Sequence, residues 1–273
     1  MRMPRSLPAL KLKINPLVCV LAQVRISPVL QMEEFIPAIQ EQLRRSDYPK
    51  FNREETEELI LGPGTQPKLR SSTRWIFSNK ENTSAVVLAQ NFIALQSSRY
   101  TSFEIFVEAF KGVLEIVGKE AEISLAERVG LRYVNLLRPK KAPLNEFLKP
   151  GLLGLPDNEL GIKRSQFRFE LAGATEIGKL VTRLSLSSNG TFLPPDLDGS
   201  GLDYGVTLEP KELIALLDTD HFSLKQRDYK PADLIEEVWQ LHEYTDRAFR
   251  AAVTPEALRS WGYAPEEVPA GGR

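Results

Sequence analysis

The stretch Glu127-Arg-Val-Gly-Leu-Arg-Tyr-Val-Asn-Leu-Leu-Arg138 decides the fold of this chain. Its β-branched and aromatic content is typical of a central strand, yet it carries Arg128 and Arg132. Side chains alternate along a strand, so these two arginines share a face with Gly130, whereas Tyr133 points to the opposite face. The sequence therefore predicts a strand that presents two cations on one side of a sheet.

The elements before this strand follow the order strand, helix, strand, strand, helix. We predict a strand over 17–26, an amphipathic helix over 33–46, short strands over 74–78 and 85–96, and a helix capped by Ser102 with an apolar stripe from Phe103 to Val117. Pro37 predicts that the regular part of the first helix begins near it. With the central strand added, the order is βαββαβ, which is the ferredoxin-like arrangement. In that arrangement the first and last strands are neighbours and both helices cover one face.

The region after the central strand indicates a second half. Prolines and glycines crowd residues 139–161, which predicts a linker. Alternating strands over 167–171 and 180–187 follow, then an ambiguous segment over 212–222 and a long helix that starts at Pro231. We therefore predict an α+β protein in which a ferredoxin-like half (14–138) packs against a second antiparallel sheet with a long helix (162–263). Residues 264–273 are expected to form a disordered tail, and 48–66 a loop with a short strand at 58–61.

Composition narrows the functional classes. The chain has 273 residues, 26% of them charged, and a formal net charge of −1, so no global field attracts nucleic acid or an anionic membrane. A single cysteine, Cys19, forbids an intrachain disulfide and suits a reducing compartment. No apolar run approaches the ~18 residues that a membrane helix needs, and residues 1–13 lack the apolar core of a signal peptide. We expect a cytoplasmic protein with no membrane partner.

Several motifs together carry a family resemblance. They are Pro16-Leu17-Val18 with Gln23-Val24-Arg25, Tyr100-Thr101-Ser102-Phe103-Glu104, Leu241-His242 with Trp261-Gly262, and above all Arg128-Val129-Gly130-Leu131-Arg132-Tyr133-Val134-Asn135. Over nearly its whole length the chain resembles a sporadically distributed family of uncharacterised bacterial proteins whose hallmark is the Arg-Val-Gly-Leu-Arg-Tyr-x-Asn strand. Phe103 stands where that family often has tryptophan. The resemblance implies a bacterial protein of defence- or mobile-element-associated type, and it implies no activity.

The candidate site consists of Arg25, Arg128, Arg132 and Asn135. In the ferredoxin-like order Arg25 lies on the strand next to the two arginines, which predicts an arginine-lined cleft between the halves for an anionic small ligand or a protein partner. The structural alternative is that the arginines pair with acids such as Glu127, Glu104 or Glu170 and join the halves. The sequence leaves both interpretations open.

Other chemistry has weaker support. His221 and His242 are the only histidines, and His242 falls on the apolar stripe of the last helix, as core histidines do. Asp218 and Asp220 alternate with His221 in face, so the three predict no metal site. Asp196, Asp198, Ser200 and Gly201 match part of a calcium loop, but the expected glutamate is missing. No nucleophile elbow, phosphate-binding loop or dinucleotide fingerprint is present, so we expect no cofactor.

Three functional hypotheses follow. The first is a binding or interaction protein with no enzymatic activity. The second is an RNA-binding protein or a metal-independent ribonuclease of ferredoxin-like type, in which one of the two histidines would be the general base. The third is small-molecule chemistry at Asp218 and Asp220.

Overall fold

The structure is a computed structural model that describes residues 10, 12–60, 68–138, 143–188, 190–197 and 200–263. The strands are β1 (Leu17–Ile26), β2 (Lys50–Ile60), β3 (Lys68–Ser78), β4 (Ser84–Ala89), β5 (Phe92–Ser97), β6 (Leu125–Leu137), β7 (Phe167–Ala174), β8 (Lys179–Ser187), β9 (Ile214–Ser223) and β10 (Arg227–Asp228). The helices are α1 (Met32–Arg45), α2 (Phe103–Glu120), α3 (Leu144–Phe147), α4 (Asp157–Leu160), α5 (Pro231–Ala252) and α6 (Pro255–Ser260).

One large antiparallel sheet organises this mixed α+β protein. Its strand order is β2-β3-β4-β5-β1-β6-β9-β8-β7, and the short β10 also pairs with β6. The prediction of a second sheet is wrong, because β9 pairs with β6 from Val129↔Ser223 to Leu137↔Ala215 and β8 and β7 continue the same ladder. The central strand β6 is therefore shared: β1 pairs with one edge of it and β9 with the other.

Helices α1, α2 and α5 cover one face of the sheet. The predicted stripe of α2 is fully buried, and its predicted cap is present, since Ser102 Oγ accepts the backbone N–H of Ile105 at 3.3 Å. Leu234, Val238 and Leu241 of α5 join the same cluster as the apolar residues of β1 and α2. Burial of each such side chain stabilises the fold by roughly 1.5–3 kcal/mol, so this face holds the main core.

The opposite face carries no helix, and we call it the helix-free face. Residues 190–197 and 200–210 cross part of it: Leu193 and Leu197 pack on Cys19 and Val134, and Leu202 packs on Val87. The remainder, near β6, β9, β8 and β7, is polar and open. Three of the candidate site residues, Arg25, Arg128 and Arg132, lie on the helix-free face.

Three local predictions differ from the structure. Most of 48–66 was predicted as loop, but β2 runs over residues 50–60 because it pairs in continuous register with β3; residues 61–67 lie outside the described part. Helix α1 begins at Met32 rather than near Pro37, because Met32 and Ile36 both reach the core. The segment over 212–222 was predicted as a helical first turn followed by a strand; the strand is present as β9, and the helical turn is not.

The predicted linker 139–161 contains α3 and α4 where it is described, from residue 143 onward, and the predicted tail 264–273 lies outside the described residues. The division of the chain into two halves remains a prediction. None of the helices in the described ranges is long and apolar enough to cross a bilayer.

Candidate binding groove

Arg128 lies flat on the helix-free face, above the middle of the sheet. Its Nη1 donates to Gln23 Oε1 at 3.0 Å, and its Cζ lies 4.4 Å from the centroid of the Phe222 ring. Asp220 is its nearest acid, with 3.6 Å between Arg128 Nη2 and Asp220 Oδ1. Gly130 makes this position possible: a Cβ there would lie 2.7 Å from Arg128 Nη1. The Arg-x-Gly spacing of the central strand thus reflects one guanidinium folded over one glycine.

Arg25 lies directly opposite Arg128 in the β1–β6 register. It is exposed and has no anionic partner among the described residues. Two like charges opposite each other in neighbouring strands repel. Burial lowers the pKa of Arg128, the charge of Asp220 opposes that shift, and the charge of Arg25 adds to it. The two arginines therefore form a cationic spot, and among the described residues Asp220 is the one acid that partly neutralises it.

Arg132 is held from two sides by carboxylates. Its Nε and Nη2 each donate to Asp218 at 2.8 Å, and its Nη1 donates to Asp196 at 2.5 Å. The Arg132 and Asp218 side chains are 10% and 6% exposed, so this pair is buried. Burial disfavours the charged guanidinium, but the bonds to Asp218 and Asp196 outweigh it and raise the pKa of Arg132. The side chain of Arg132 therefore has a structural role, because its guanidinium is already bonded to two carboxylates.

A groove of about 990 Å³ opens beside this pair, between β7–β8 and the segment 191–196. Charged side chains alternate along its floor: Arg183 contacts Asp218 at 3.5 Å and Glu170 at 2.8 Å. Asp220 lines one end of the groove and connects it to Arg128. Burial raises the pKa of Asp220, although Arg128 opposes the shift. One part of the groove therefore contains the paired charges of Arg132, Arg183 and Asp218, and Asp220 connects this part to the cationic spot.

The structure brings together three of the four predicted site residues. Arg25, Arg128 and Arg132 share the helix-free face, as the alternation predicted. Asn135 does not join them, since its position in β6 directs it to the helix-covered face, where its Nδ2 donates to Leu217 O at 3.4 Å. The arginines lie on one continuous sheet and not in a cleft between two sheets.

The acids that hold the arginines were not predicted from the sequence. Glu127, Glu104 and Glu170 were the expected partners, whereas the structure places Asp196, Asp218 and Asp220 against Arg132 and Arg128. Asp218 and Asp220 did give a signal, because their spacing puts both on one face of a strand. That signal was interpreted as possible small-molecule chemistry at the two acids, since nothing local reveals that β9 pairs with β6.

Both histidines lie away from the groove. His221 has no exposed surface; its ring contacts Leu241 O and Thr175 Oγ1. His242 stacks on Phe103 with 3.8 Å between ring centroids, and its Nδ1 lies 3.0 Å from the Tyr133 hydroxyl. Burial lowers the pKa of His242 to about 4 and also lowers that of His221. Neither ring can serve as a base for a ligand on the helix-free face.

The possible calcium loop also belongs to the ion network. Asp196 bonds Arg132, which lowers the pKa of Asp196 in spite of its partial burial. Asp198 lies outside the described residues. Across the described ranges no group of three or more histidine, cysteine, aspartate or glutamate side chains could hold a metal ion. Cys19 is buried, and burial raises its thiol pKa to about 12, which leaves it unreactive.

Comparison with known proteins adds no further constraint on this site. Neither a protein-family model nor a curated protein matches the chain.

Proposed function

We propose that this chain is a binding protein that takes an anionic ligand on the helix-free face of its sheet. The charged group of the ligand lies between Arg25 and Arg128, and the rest of the ligand extends along the groove past Asp220. The observation that carries the proposal is the opposition of two arginines, one of them exposed and without a described anionic partner. An anion between them would replace repulsion by two charge-assisted contacts.

Two of the three arginines that line the groove are already paired. Arg132 and Arg183 are occupied by Asp196, Asp218 and Glu170. Their network fixes the floor of the groove, so the arginines that an anion can reach are the pair Arg25 and Arg128 and, on the groove wall, Arg168, which has no described acidic partner. Asp220 faces Arg128 and offsets part of its charge, so the bound anion is placed on the Arg25 side of the pair.

Binding is favoured over RNA cleavage because no histidine lies on the described part of the helix-free face and the two phenylalanines beside the cationic spot are covered. His221 is buried, His242 is half-buried, and both lie on the other side of the sheet. Phe222 lies beneath the Arg128 guanidinium, and Phe92 packs against the cluster around Leu202, so neither ring is open to a nucleobase. Small-molecule chemistry at Asp218 is disfavoured likewise, since both its carboxylate oxygens bond Arg132.

Titration with inorganic pyrophosphate, followed by isothermal titration calorimetry at low salt, tests the site. We expect the wild-type chain to bind and Arg25→Gln to weaken the affinity about tenfold, because it loses one charge-assisted contact. Arg128→Gln should weaken binding at least as much. Arg99→Gln is the matched control, since Arg99 is an exposed arginine whose side chain makes no described contact.

Two results would contradict the proposal. One is equal affinity in Arg25→Gln, Arg128→Gln and Arg99→Gln. The other is the absence of heat with pyrophosphate together with tight binding of a single-stranded RNA oligonucleotide, which would favour the RNA-binding alternative.

Gly130→Ala separates the position of Arg128 from its charge. The new methyl group displaces the Arg128 guanidinium from Gln23 and Phe222, and because the obstacle is the far end of a flexible side chain, the fold should lose no more than about 1 kcal/mol. We expect pyrophosphate affinity to fall several-fold while the Tm barely changes. Gly173→Ala in β7 is the control, because a methyl group there meets nothing within 4 Å. Unchanged affinity in Gly130→Ala would show that the position of Arg128 does not matter.

We also propose the ferredoxin-like arrangement for the set β1, α1, β4, β5, α2 and β6. Support comes from the strand order β4-β5-β1-β6, with α1 and α2 on one face, and β2–β3 would then be an insertion that extends the edge. A cytoplasmic location and membership of the bacterial family with the Arg-Val-Gly-Leu-Arg-Tyr-x-Asn strand remain proposals that rest on the sequence.

A further inference from the structure

The last strand of the sheet, β7, has an open outer edge. It ends the strand order beyond β8, and no other strand of the described chain pairs with it. Its eight residues are in continuous register with β8, without a bulge or a proline. Proteins normally protect a long flat edge with such devices, because its free N–H and C=O groups pair readily with another strand.

Exposed apolar side chains gather around this edge. Nine large apolar residues are strongly exposed in the described chain, and four of them lie within residues 155–171: Leu155, Leu160, Ile162 and Leu171. Leu171 is 62% exposed in the middle of β7. The preceding segment is near the start of the strand, since Phe167 contacts Gly154 and lies under Arg164. This density of exposed apolar surface is typical of an interface.

The pattern of backbone hydrogen bonds fixes which residues of β7 can pair outward. Thr175 N donates to Gly178 O at 2.7 Å where the β7–β8 hairpin closes. Ladder bonds alternate from that pair, so 171 and 173 direct their backbone groups to β8, whereas 168, 170 and 172 direct theirs outward. An antiparallel partner must offer outward groups in the same alternation.

A second copy of β7 offers that alternation and also matches in charge. When two copies pair antiparallel about a two-fold axis at Phe169, Arg168 of each copy lies opposite Glu170 of the other. Phe167 of each copy then lies opposite Leu171 of the other, and the exposed Gln166 lies opposite Ala172. If the two-fold axis passed through Glu170 instead, the two copies of Glu170 would lie opposite each other and repel. Arg168 is exposed and has no partner among the described residues, so it is free to make this contact.

We propose that the β7 edge is the dimer interface of this protein and that two copies join their sheets through Arg168–Glu170 pairs about Phe169. The dimer also bears on the groove, because Arg168 and Glu170 both line it. Each copy thereby places a guanidinium beside the groove of the other. This inference stands independently of the anion site at Arg25 and Arg128.

Two charge reversals and their mixture test the interface by sedimentation velocity and light scattering. We expect a wild-type dimer and at least a tenfold higher dimer dissociation constant for Arg168→Glu and for Glu170→Arg, because each puts two like-charged pairs across the axis. An equimolar mixture of the two variants restores opposite charges at all four positions and should dimerise as wild type. Circular dichroism checks that each variant is folded.

A second pair of variants tests the apolar part. Leu171→Ser should weaken the dimer, whereas Leu224→Ser, at a leucine that is 72% exposed elsewhere, should not. A monomeric wild-type chain at every accessible concentration overturns the proposal, and so does a dimer that persists in both charge reversals. A mixture that stays monomeric also overturns it.

Discussion

Replacement of Asp218 by alanine is expected to cost about 3–5 kcal/mol of unfolding free energy. Both oxygens of Asp218 accept hydrogen bonds from Arg132, and the two side chains are almost completely buried. The substitution leaves a guanidinium in the sheet with Asp196 as its remaining partner. Urea denaturation, followed by circular dichroism at neutral pH, measures the loss.

Asp196→Ala is the matched control, because it removes the other carboxylate of the same arginine. The Asp196 side chain is 65% exposed, so its loss should cost no more than about 1 kcal/mol. If Asp218→Ala and Asp196→Ala lose the same unfolding free energy, burial does not determine how much each contact with Arg132 contributes to stability.

The double variant Arg132→Met with Asp218→Leu provides a further check. It removes both charges together, so no ion is left unpaired, and the loss should be smaller than that of Asp218→Ala alone. If the double variant loses more unfolding free energy than Asp218→Ala, the Arg132–Asp218 pair stabilises the fold by more than the neutralisation of its own buried charges.

The second large effect is a loss of stability at acid pH that depends on His242. The pKa of this histidine is about 4 in the fold and about 6.5 in a free chain, so between these values the unfolded chain binds more protons. The contribution of the neutral ring is complete above pH 6.5 and is lost as the pH falls toward 4. It amounts to at most about 3 kcal/mol.

His242→Gln isolates this contribution. The glutamine amide oxygen can still accept a hydrogen bond from the Tyr133 hydroxyl, but the amide does not titrate. Unfolding free energies by urea at pH 7 and pH 4.5 should therefore fall less in the variant than in the wild-type chain. The comparison is needed because burial raises the pKa of Asp220 and Asp246, which strengthens the fold at low pH. Parallel pH profiles in the two proteins would contradict the assignment.

Local pattern was sufficient to predict β1, α2 and β6 and the shared face of Arg128 and Arg132. In each of these elements the apolar period and the cap residue agree with the tertiary environment. Most of strand β2 was missed, and only its end at 58–60 was predicted, because its charged sequence has no apolar face and pairing with β3 makes it a strand. The predicted helix start near Pro37 failed for a related reason. Proline locally favours the first turn of a helix, but the core contacts of Met32 extend α1 five residues toward the N-terminus.

The site was predictable only in part, because its second half comes from distant sequence. Arg132 meets Asp218 and Asp196 across separations of 86 and 64 residues. No local rule sets the pairing of β6 with β9, and the predicted second sheet placed those acids elsewhere. Asn135 was assigned to the site although strand alternation directs it to the other face, so that error was avoidable.

The placement of α5 has a consequence for synthesis of the chain on the ribosome. Leu241 of this late helix packs in one cluster with Leu131 of β6 and Val24 of β1. A nascent chain that has emerged only as far as β6 lacks both the β9 neighbour of that strand and the α5 cover of its apolar side. The apolar surface that α5 later covers stays accessible until the last third of the polypeptide has left the exit tunnel. We therefore expect holdase chaperones to bind the nascent chain during this period.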